Sequence, residues 1–180
     1  MYENFLIVVD MQNDFITGSL GSKEAQEIVP KVVERMKQAH ADNECVLLTL
    51  DTHSNNYLET PEGKALPVVH CRKYTAGWCN HEDVYNEIDA DVDVVIEKNH
   101  FASRRLPDLI RNKHDCSQPM RIELIGLCTD ICVIANALYL KTTFPNADIS
   151  VRPSCCAGVT PEKHNAAIEV MRSCQINIIE

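Results

Sequence analysis

The sequence lacks the excess of basic side chains that binding to a polyanion requires. Seventeen lysines and arginines stand against 26 aspartates and glutamates in 180 residues, which gives a formal net charge of -9. A protein of this charge has no basic surface to neutralise phosphates, and an anionic bilayer repels it. We therefore expect neither nucleic acid nor a membrane as a partner.

Long hydrophobic runs are also missing. The apolar stretches, such as residues 5–9 and 124–128, are far shorter than the roughly 20 residues of a membrane-spanning helix. The first residues show neither the basic segment nor the cleavage motif of a secretory signal peptide, so we expect a cytoplasmic protein. The nine cysteines are odd in number and irregularly spaced, which favours reduced thiols that fill the core.

The sequence does contain a regular alternation of short apolar runs with segments of helical period. Residues 28–36 and 106–112 follow that period, and Thr160 with Pro161 is typical of a helix start. Residues 130–142 are apolar on nearly every side, which indicates a buried helix. The pattern predicts one α/β domain over residues 1–180, with a central parallel sheet of five or six strands and helices on both faces. The predicted strands are residues 5–9, 45–50, 93–97, 121–127, 148–151 and 176–179.

One segment breaks this regular pattern. Residues 51–83 are polar, contain Pro61, Gly63, Pro67 and Gly77, and show no sustained period. A loop of that length in a compact domain is usually functional. In doubly wound sheets, ligands bind beyond the carboxyl ends of the strands. The reactive side chains at those predicted ends are Asp10, Asp51, His53, Lys98 and Cys132.

Cys132 lies in the first turn of the helix that begins near Thr129 or Asp130. Unpaired backbone N–H groups and the helix dipole favour a thiolate there, as a nucleophile requires. Asp10 could take the thiol proton and return it to a leaving group, while Lys98 could hold both anions together. Each residue taken alone also fits a structural role, as a core cysteine, a turn cap and a strand-end charge.

Three motifs together point to a known family. They are VVDMQNDF at residues 8–15, Lys98 after a later strand, and GLCTDICV at residues 126–133. The combination resembles the isochorismatase-like cysteine hydrolases, in the same order over nearly the whole chain. The resemblance implies that Asp10, Lys98 and Cys132 form a catalytic triad.

The resemblance also implies an unusual backbone before the nucleophile. In this family a cis peptide bond stands at the position of Leu127 and Cys128. It directs the backbone N–H groups of Cys128 and Cys132 into an oxyanion hole.

A metal site is a separate hypothesis. Asp51, His53 and His70 offer three ligands for one divalent ion and leave open positions, although histidines in polar loops often bind nothing. A second combination, for a closed structural zinc site, fits no common zinc spacing. Its members are His70, Cys71, Cys79 and His81.

The nicotinamidases of this family hold a metal on an Asp-x-His pair and a later histidine. The resemblance therefore implies the ligands Asp51, His53 and His70, with Glu62, or Glu59 in its place, as a further carboxylate. One divalent ion is implied, zinc ahead of iron or manganese. In those relatives the metal holds the pyridine nitrogen of the substrate and so positions the amide.

Aromatic side chains are the predicted walls of the substrate site. Phe15 resembles the residue that stacks on the substrate ring in nicotinamidases, and Trp78 or Tyr74 could line the opposite wall. Those relatives often carry an aromatic residue three positions before the later histidine. This chain has Pro67 at that position, so the second wall has no assigned residue there.

The resemblance implies a metal-assisted cysteine amidohydrolase that deamidates nicotinamide to nicotinate and ammonia through a thioester on Cys132. One alternative is a family hydrolase that acts without metal on another small amide, a carbamoyl compound or an isochorismate-type substrate. The other is a flavodoxin-like binding domain in which the aspartate and cysteine are structural. Since relatives are often dimers or tetramers, a homodimer or homotetramer is implied.

Overall fold

The computed structural model describes residues 1–115 and 117–180, and its centre is one parallel sheet. The six strands lie in the order β3-β2-β1-β4-β5-β6, and each neighbouring pair is parallel. The predicted α/β fold with a central parallel sheet is confirmed. The strands are β1 (Asn4–Val9), β2 (Cys45–Asp51), β3 (Val94–Lys98), β4 (Arg121–Leu127), β5 (Asp148–Ala157) and β6 (Asn177–Ile178).

Helices cover both faces of the sheet, because β1 sends alternate side chains into two separate cores. Phe5 and Ile7 pack into one core, and Leu6 and Val8 pack into the other. No helix within the described residues is both long enough and apolar enough to cross a membrane. The helices are α1 (Asn13–Ile16), α2 (Lys23–Ala41), α3 (Pro61–Ala65), α4 (Glu82–Asn86), α5 (Leu106–Lys113), α6 (Ile134–Thr143) and α7 (Pro161–Ser173).

Helix α7 begins at the position that the sequence predicts. The Thr160 side chain accepts a hydrogen bond from the Lys163 backbone N–H at 3.2 Å, and Pro161 occupies the first turn. The helix predicted over residues 130–142 differs in its first turn. Thr129–Val133 is a π-helical turn, and the α-helix begins only at Ile134.

Strand β5 is longer than predicted. Residues 153–157, expected to be a loop, continue the strand, and its pairing with β4 shifts register between Leu124 and Gly126. Gly126 has φ 110°, and a Cβ atom there would collide with the backbone of Val9. Only glycine accommodates this combination. The irregular pairing lets β5 run on to the edge at which the candidate site lies.

The parallel register brings the predicted reactive residues to one edge of the sheet. Asp51 and Lys98, the last residues of β2 and β3, are directly paired. Asp10 follows β1, which lies between β2 and β4. β4 leads into the turn that carries Cys132.

Candidate active site

Lys98 is the centre of a buried cluster of charges. Its Nζ lies 2.7 Å from Asp10 Oδ2, 3.2 Å from Asp51 Oδ1 and 3.4 Å from Cys132 Sγ. An ammonium group has three N–H donors, so each of these acceptors can receive one. Burial lowers the pKa of Lys98, but the adjacent negative groups, Asp10 foremost, outweigh burial and hold that pKa well above its ordinary value. Lys98 is therefore a permanent cation.

Asp10 is completely buried, and its backbone is in the left-handed region with φ 48°. Aspartate is one of the few non-glycine residues that adopt this conformation readily. The Thr49 hydroxyl donates to Asp10 Oδ1 at 2.7 Å. Burial raises the pKa of Asp10 in spite of the lysine beside it. A carboxyl group in this state is suited to taking up and releasing a proton.

Cys132 is 6% exposed in the π-helical turn, directly above the carboxyl edge of the sheet. Burial, together with Asp10, raises the pKa of the Cys132 thiol well above its ordinary value. Desolvation and the nearby carboxylates thus act against the thiolate, which the helix start and Lys98 favour.

Asp51, His53 and His70 form a cluster suited to a divalent metal. One ligand atom from each lies within 4.8 Å of the others, and all three residues are buried. Asp51 Oδ2 is 2.9 Å from His53 Nε2 and 3.7 Å from His70 Nε2. The cluster adjoins the Lys98 cluster through Asp51, whose other oxygen faces Lys98.

The state of the two histidines fits a metal site. His70 Nδ1 donates to the Val68 carbonyl at 2.8 Å, which leaves the lone pair on Nε2, the nitrogen that faces Asp51. His53 Nε2 is buried beside Asp51 Oδ2, 2.9 Å away, but the two atoms lack the geometry of a hydrogen bond. A backbone carbonyl that orients a ligand histidine is a regular feature of metal sites. The residues present therefore fit a divalent cation.

Glu62 is nearer than Glu59 to this cluster. Glu62 Oε1 lies 3.8 Å from His53 Nε2, while Glu59 is exposed in the helical turn Tyr57–Glu59. The alternative zinc set does not assemble among the described residues, where the Asp51, His53 and His70 group is the one metal-type cluster. Cys71 is buried and Cys79 is exposed.

A cavity of about 320 Å³ opens beside Cys132 and the metal-type cluster. Phe15 lines it, as predicted from the sequence. Trp78 is not among its lining residues, which corrects the prediction that Trp78 forms the opposite wall. The indole N–H donates instead to the Thr52 hydroxyl at 2.9 Å, and Tyr74 is 83% exposed. The apolar lining includes Phe15, Leu66, Phe101, Leu127, Ile131 and Val159.

The predicted cis peptide bond between Leu127 and Cys128 is present. Cys128 lines the cavity beside Cys132. In the described turns and loops, the Cys128 N–H forms no backbone hydrogen bond. That N–H is therefore available to a ligand, as an oxyanion hole requires.

Gln12 is a site residue to which sequence reasoning assigned no role. Its side-chain oxygen accepts from the Asp51 N–H at 2.7 Å, and its amide nitrogen donates to the carbonyls of Asp51 and Trp78. Asp14 acts similarly, since its carboxylate accepts from the N–H of Cys71, the neighbour of His70. Both residues lie in the motif at residues 8–15, but their partners are distant in sequence.

His164 also had no assigned role. Its Nδ1 lies 2.8 Å from the Thr129 hydroxyl. The carboxylate of Asp130 accepts from the Val159 N–H at 2.9 Å. The start of α7 and the loop before it thus hold the turn that carries the nucleophile.

Residues 4–180 match the family described as isochorismatase domain, and the chain belongs to this family. Curated nicotinamidases of Saccharomyces cerevisiae and Schizosaccharomyces pombe are 22% and 26% identical to it, over 97% of this chain and 98% and 91% of theirs. The crystal structure of the pyrazinamidase of Pyrococcus horikoshii in complex with zinc is 27% identical, with a TM-score of 0.83 over 99% of both chains. The chain is a nicotinamidase-like member of a hydrolase family, which argues against a flavodoxin-like binding domain.

Proposed function

We propose that this member of the isochorismatase family is a metal-assisted cysteine amidohydrolase that converts nicotinamide to nicotinate and ammonia. The observation that carries the proposal is the position of Asp51. One of its oxygens faces the lysine beside the candidate nucleophile, and the other faces two histidines. The nucleophile and the metal-type cluster thus share one carboxylate beside one small cavity.

In the first step, Asp10 takes the proton from the Cys132 thiol, and Sγ attacks the carboxamide carbon. The proton moves within the field of Lys98, which stabilises the thiolate as it forms. The carbonyl oxygen of the substrate becomes an oxyanion. We assign its stabilisation to the backbone N–H groups of Cys128 and Cys132.

In the second step, the tetrahedral intermediate collapses. Asp10 returns its proton to the nitrogen of the substrate, the C–N bond breaks, and ammonia leaves a thioester on Cys132. Asp10 then takes a proton from water, which attacks the thioester carbon. The C–S bond breaks, the acid is released, and the proton returns to the thiol. The sum is amide plus water to acid plus ammonia.

The ligands we assign to the metal are Asp51, His53 and His70, with Glu62 as the further carboxylate. A divalent ion held there supplies, when bound, an electrophilic anchor for a ring nitrogen of the substrate. We propose zinc, because the pyrazinamidase of Pyrococcus horikoshii was solved in complex with zinc. Phe15 would then stack on the ring while Lys98 and Asp10 face the amide.

The test is ammonia release from nicotinamide by the purified, metal-replete protein, beside Cys132→Ala and a chelated sample. We expect release that is lost in Cys132→Ala and falls on chelation. A thioester mechanism further predicts a mass increase on Cys132 when the reaction is quenched in acid. No release, with Cys132 still alkylated promptly by iodoacetamide, would contradict nicotinamide as substrate and favour another small amide or an isochorismate-type compound.

A further inference from the structure

Asn136 is a fully buried amide on α6, a helix whose other buried residues are apolar. An amide group in such a place costs free energy unless its polar atoms have partners. The side-chain nitrogen donates to the Cys132 carbonyl at 2.7 Å and to the Phe101 carbonyl at 3.1 Å. The side-chain oxygen accepts from the Ser103 N–H at 2.9 Å. Both N–H donors and the oxygen are therefore occupied, which holds the side chain in one orientation.

The partners of Asn136 lie on the two chain segments that carry the ammonium group and the thiol of the active site. Phe101 and Ser103 follow Lys98 by three and five residues, and Cys132 is the candidate nucleophile. Lys98 Nζ lies 3.4 Å from Cys132 Sγ. The amide of Asn136 thus joins the main chain of Cys132 to the main chain just beyond Lys98. It therefore contributes to the distance between the ammonium group and the sulfur.

The segment that follows Lys98 has few other attachments. Residues 99–103 belong to neither a helix nor a strand. In the described turns and loops, the backbone of residues 100–102 forms no hydrogen bond except the one that the Phe101 carbonyl accepts from Asn136. Lys98 itself is attached to the neighbouring strand, because its carbonyl accepts from the Thr52 N–H at 2.8 Å. The attachment of this segment to the helix behind the nucleophile depends on Asn136.

The turn that carries Cys132 also depends on Asn136. It is the π-helical turn Thr129–Val133, a geometry that is rare in proteins and frequent at functional sites. The side chains of Thr129 and Asp130 hold the beginning of this turn to α7 and the loop before it. Asn136 holds its other end through the Cys132 carbonyl. Loss of Asn136 would therefore release both the nucleophile and the segment after Lys98 on the side where they meet.

We propose that Asn136 is a positioning residue that fixes the distance between the Lys98 ammonium group and the Cys132 sulfur. Lys98 stabilises the thiolate as it forms, and this electrostatic stabilisation declines as the two groups move apart. Asn136 is not among the residues that line the substrate cavity. Its loss should slow the chemical step and leave substrate binding unchanged. The kinetic part of the inference rests on the proposed function, whereas the effect on the reactivity of the thiol does not.

The first test is the steady-state kinetics of Asn136→Leu, which removes the three hydrogen bonds and keeps the approximate volume of the side chain. We expect kcat for ammonia release to fall by about 10- to 100-fold, with KM changed less than about twofold, because small misplacements of reacting groups have effects of that size. Asn112→Leu, at an exposed asparagine on α5, is the control and should match the wild type. Circular dichroism establishes folding. Wild-type kcat in folded Asn136→Leu, or a rise in KM alone, would overturn the assignment.

Asn136→Thr keeps the test decisive if the leucine variant does not fold. Its hydroxyl can donate to the Cys132 carbonyl, four residues earlier on the helix, but it is too short to reach Phe101 as well. One attachment is kept and the other is lost, so we expect a smaller fall in kcat than with leucine, again at unchanged KM. A kcat equal to that of the wild type would contradict the proposal, because the attachment to the segment after Lys98 would then be dispensable.

Alkylation of Cys132 by iodoacetamide tests the inference without any substrate. Asn136→Leu should slow this alkylation about tenfold, followed on Cys132 by mass spectrometry, because the ammonium group no longer lies beside the thiolate as it forms. In a Lys98→Met background the same substitution should cause no further slowing, since both changes remove the same interaction. A full additional slowing in the double variant would show that Asn136 does not act through Lys98, and would overturn the proposal.

The kinetic and alkylation experiments together separate this inference from the proposed function. If the wild type releases no ammonia from nicotinamide but alkylation follows the expected pattern, the proposed substrate fails and the positioning role of Asn136 stands. If the wild type releases ammonia and Asn136→Leu is alkylated at the wild-type rate, the positioning role fails and the proposed function stands.

Discussion

Two charge clusters in this protein, one half-buried and one fully buried, differ in their balance of charge. In the first, one guanidinium from α2 and one from β5 contact two carboxylates, so that two positive charges face two negative charges. The distances are 2.6 Å for Arg35 to Glu44, 2.9 Å for Arg35 to Glu123 and 2.7 Å for Arg152 to Glu123. We call these four residues the Arg35 cluster. A charge-balanced network of this kind holds α2 against the sheet.

The second is the Lys98 cluster, which consists of Lys98, Asp10, Asp51 and Cys132. One ammonium group there faces two carboxylates and a thiol, all buried. The positive charge is too small to balance its neighbours. The excess negative charge accounts for the raised pKa of Lys98 and contributes to the raised pKa of Cys132. It also favours a divalent cation on the far side of Asp51.

The comparison separates charges that stabilise a fold from charges that react. A charge-balanced network leaves no group ready to exchange a proton, whereas the unbalanced, buried one keeps a carboxyl and a thiol close to proton transfer. Substitutions in the Arg35 cluster should therefore change stability and leave activity intact. Substitutions in the Lys98 cluster should do the reverse.

The largest expected effect comes from replacing one cation in each cluster, Lys98 or Arg152, with methionine. Lys98→Met should lower kcat for ammonia release by about a thousandfold, because Asp10 and the thiolate that forms on Cys132 lose the ammonium group beside them. Arg152→Met should leave kcat within about twofold. The measurement is steady-state ammonia release, with circular dichroism to establish folding. Similar losses in both variants would refute the distinction between the clusters.

A substitution in the Arg35 cluster should act mainly on stability. Glu123→Gln removes the charge that both Arg35 and Arg152 contact, and we expect the free energy of unfolding to fall by about 3 kcal/mol. Urea denaturation measures this fall. Ammonia release per folded molecule is the control, and it should equal that of the wild type. A change in KM or in kcat would mean that the Arg35 cluster also affects the active site.

A substitution at Gln12 tests the metal ligand Asp51, a member of the Lys98 cluster, and its expected effect is smaller. Gln12→Ala should weaken metal binding by about 10- to 100-fold, because groups that orient a metal ligand have effects of that size. Competition with a fluorescent chelator gives the affinity. Gln38→Ala is the matched control, since Gln38 makes an exposed contact with Asp42. The idea fails if both variants bind the metal as the wild type does.

The smallest expected effect is a pH dependence at the turn that carries Cys132. Burial lowers the pKa of His164, although Asp130 acts in the opposite direction. The folded protein therefore favours the neutral imidazole. Its stabilisation is present above the ordinary value of 6.5 and declines as pH falls below it. Urea midpoints at pH 7.5 and 5.5 should differ less in His164→Gln than in the wild type, and equal differences would contradict this.

Much of the site was predictable because motif residues follow predicted strands. In a parallel sheet the carboxyl ends of the strands lie at one edge, so Asp10, Asp51 and Lys98 were expected to meet there. Phe15 and the cis bond before Cys128 were expected from the resemblance. The position of Trp78 was not predictable, because it depends on a hydrogen bond to Thr52 within a loop that shows no period.

The fold class and the residue types at the reactive edge follow from the sequence alone, since they depend on apolar period and on motifs close to strand ends. Only the tertiary structure decided the charge balance at Lys98, the raised pKa of the Cys132 thiol and the place of Phe101. Those properties depend on burial and on contacts between segments far apart in the chain. Asn136 illustrates the reason, because its bonds to Phe101 and Ser103 join residues more than thirty positions apart.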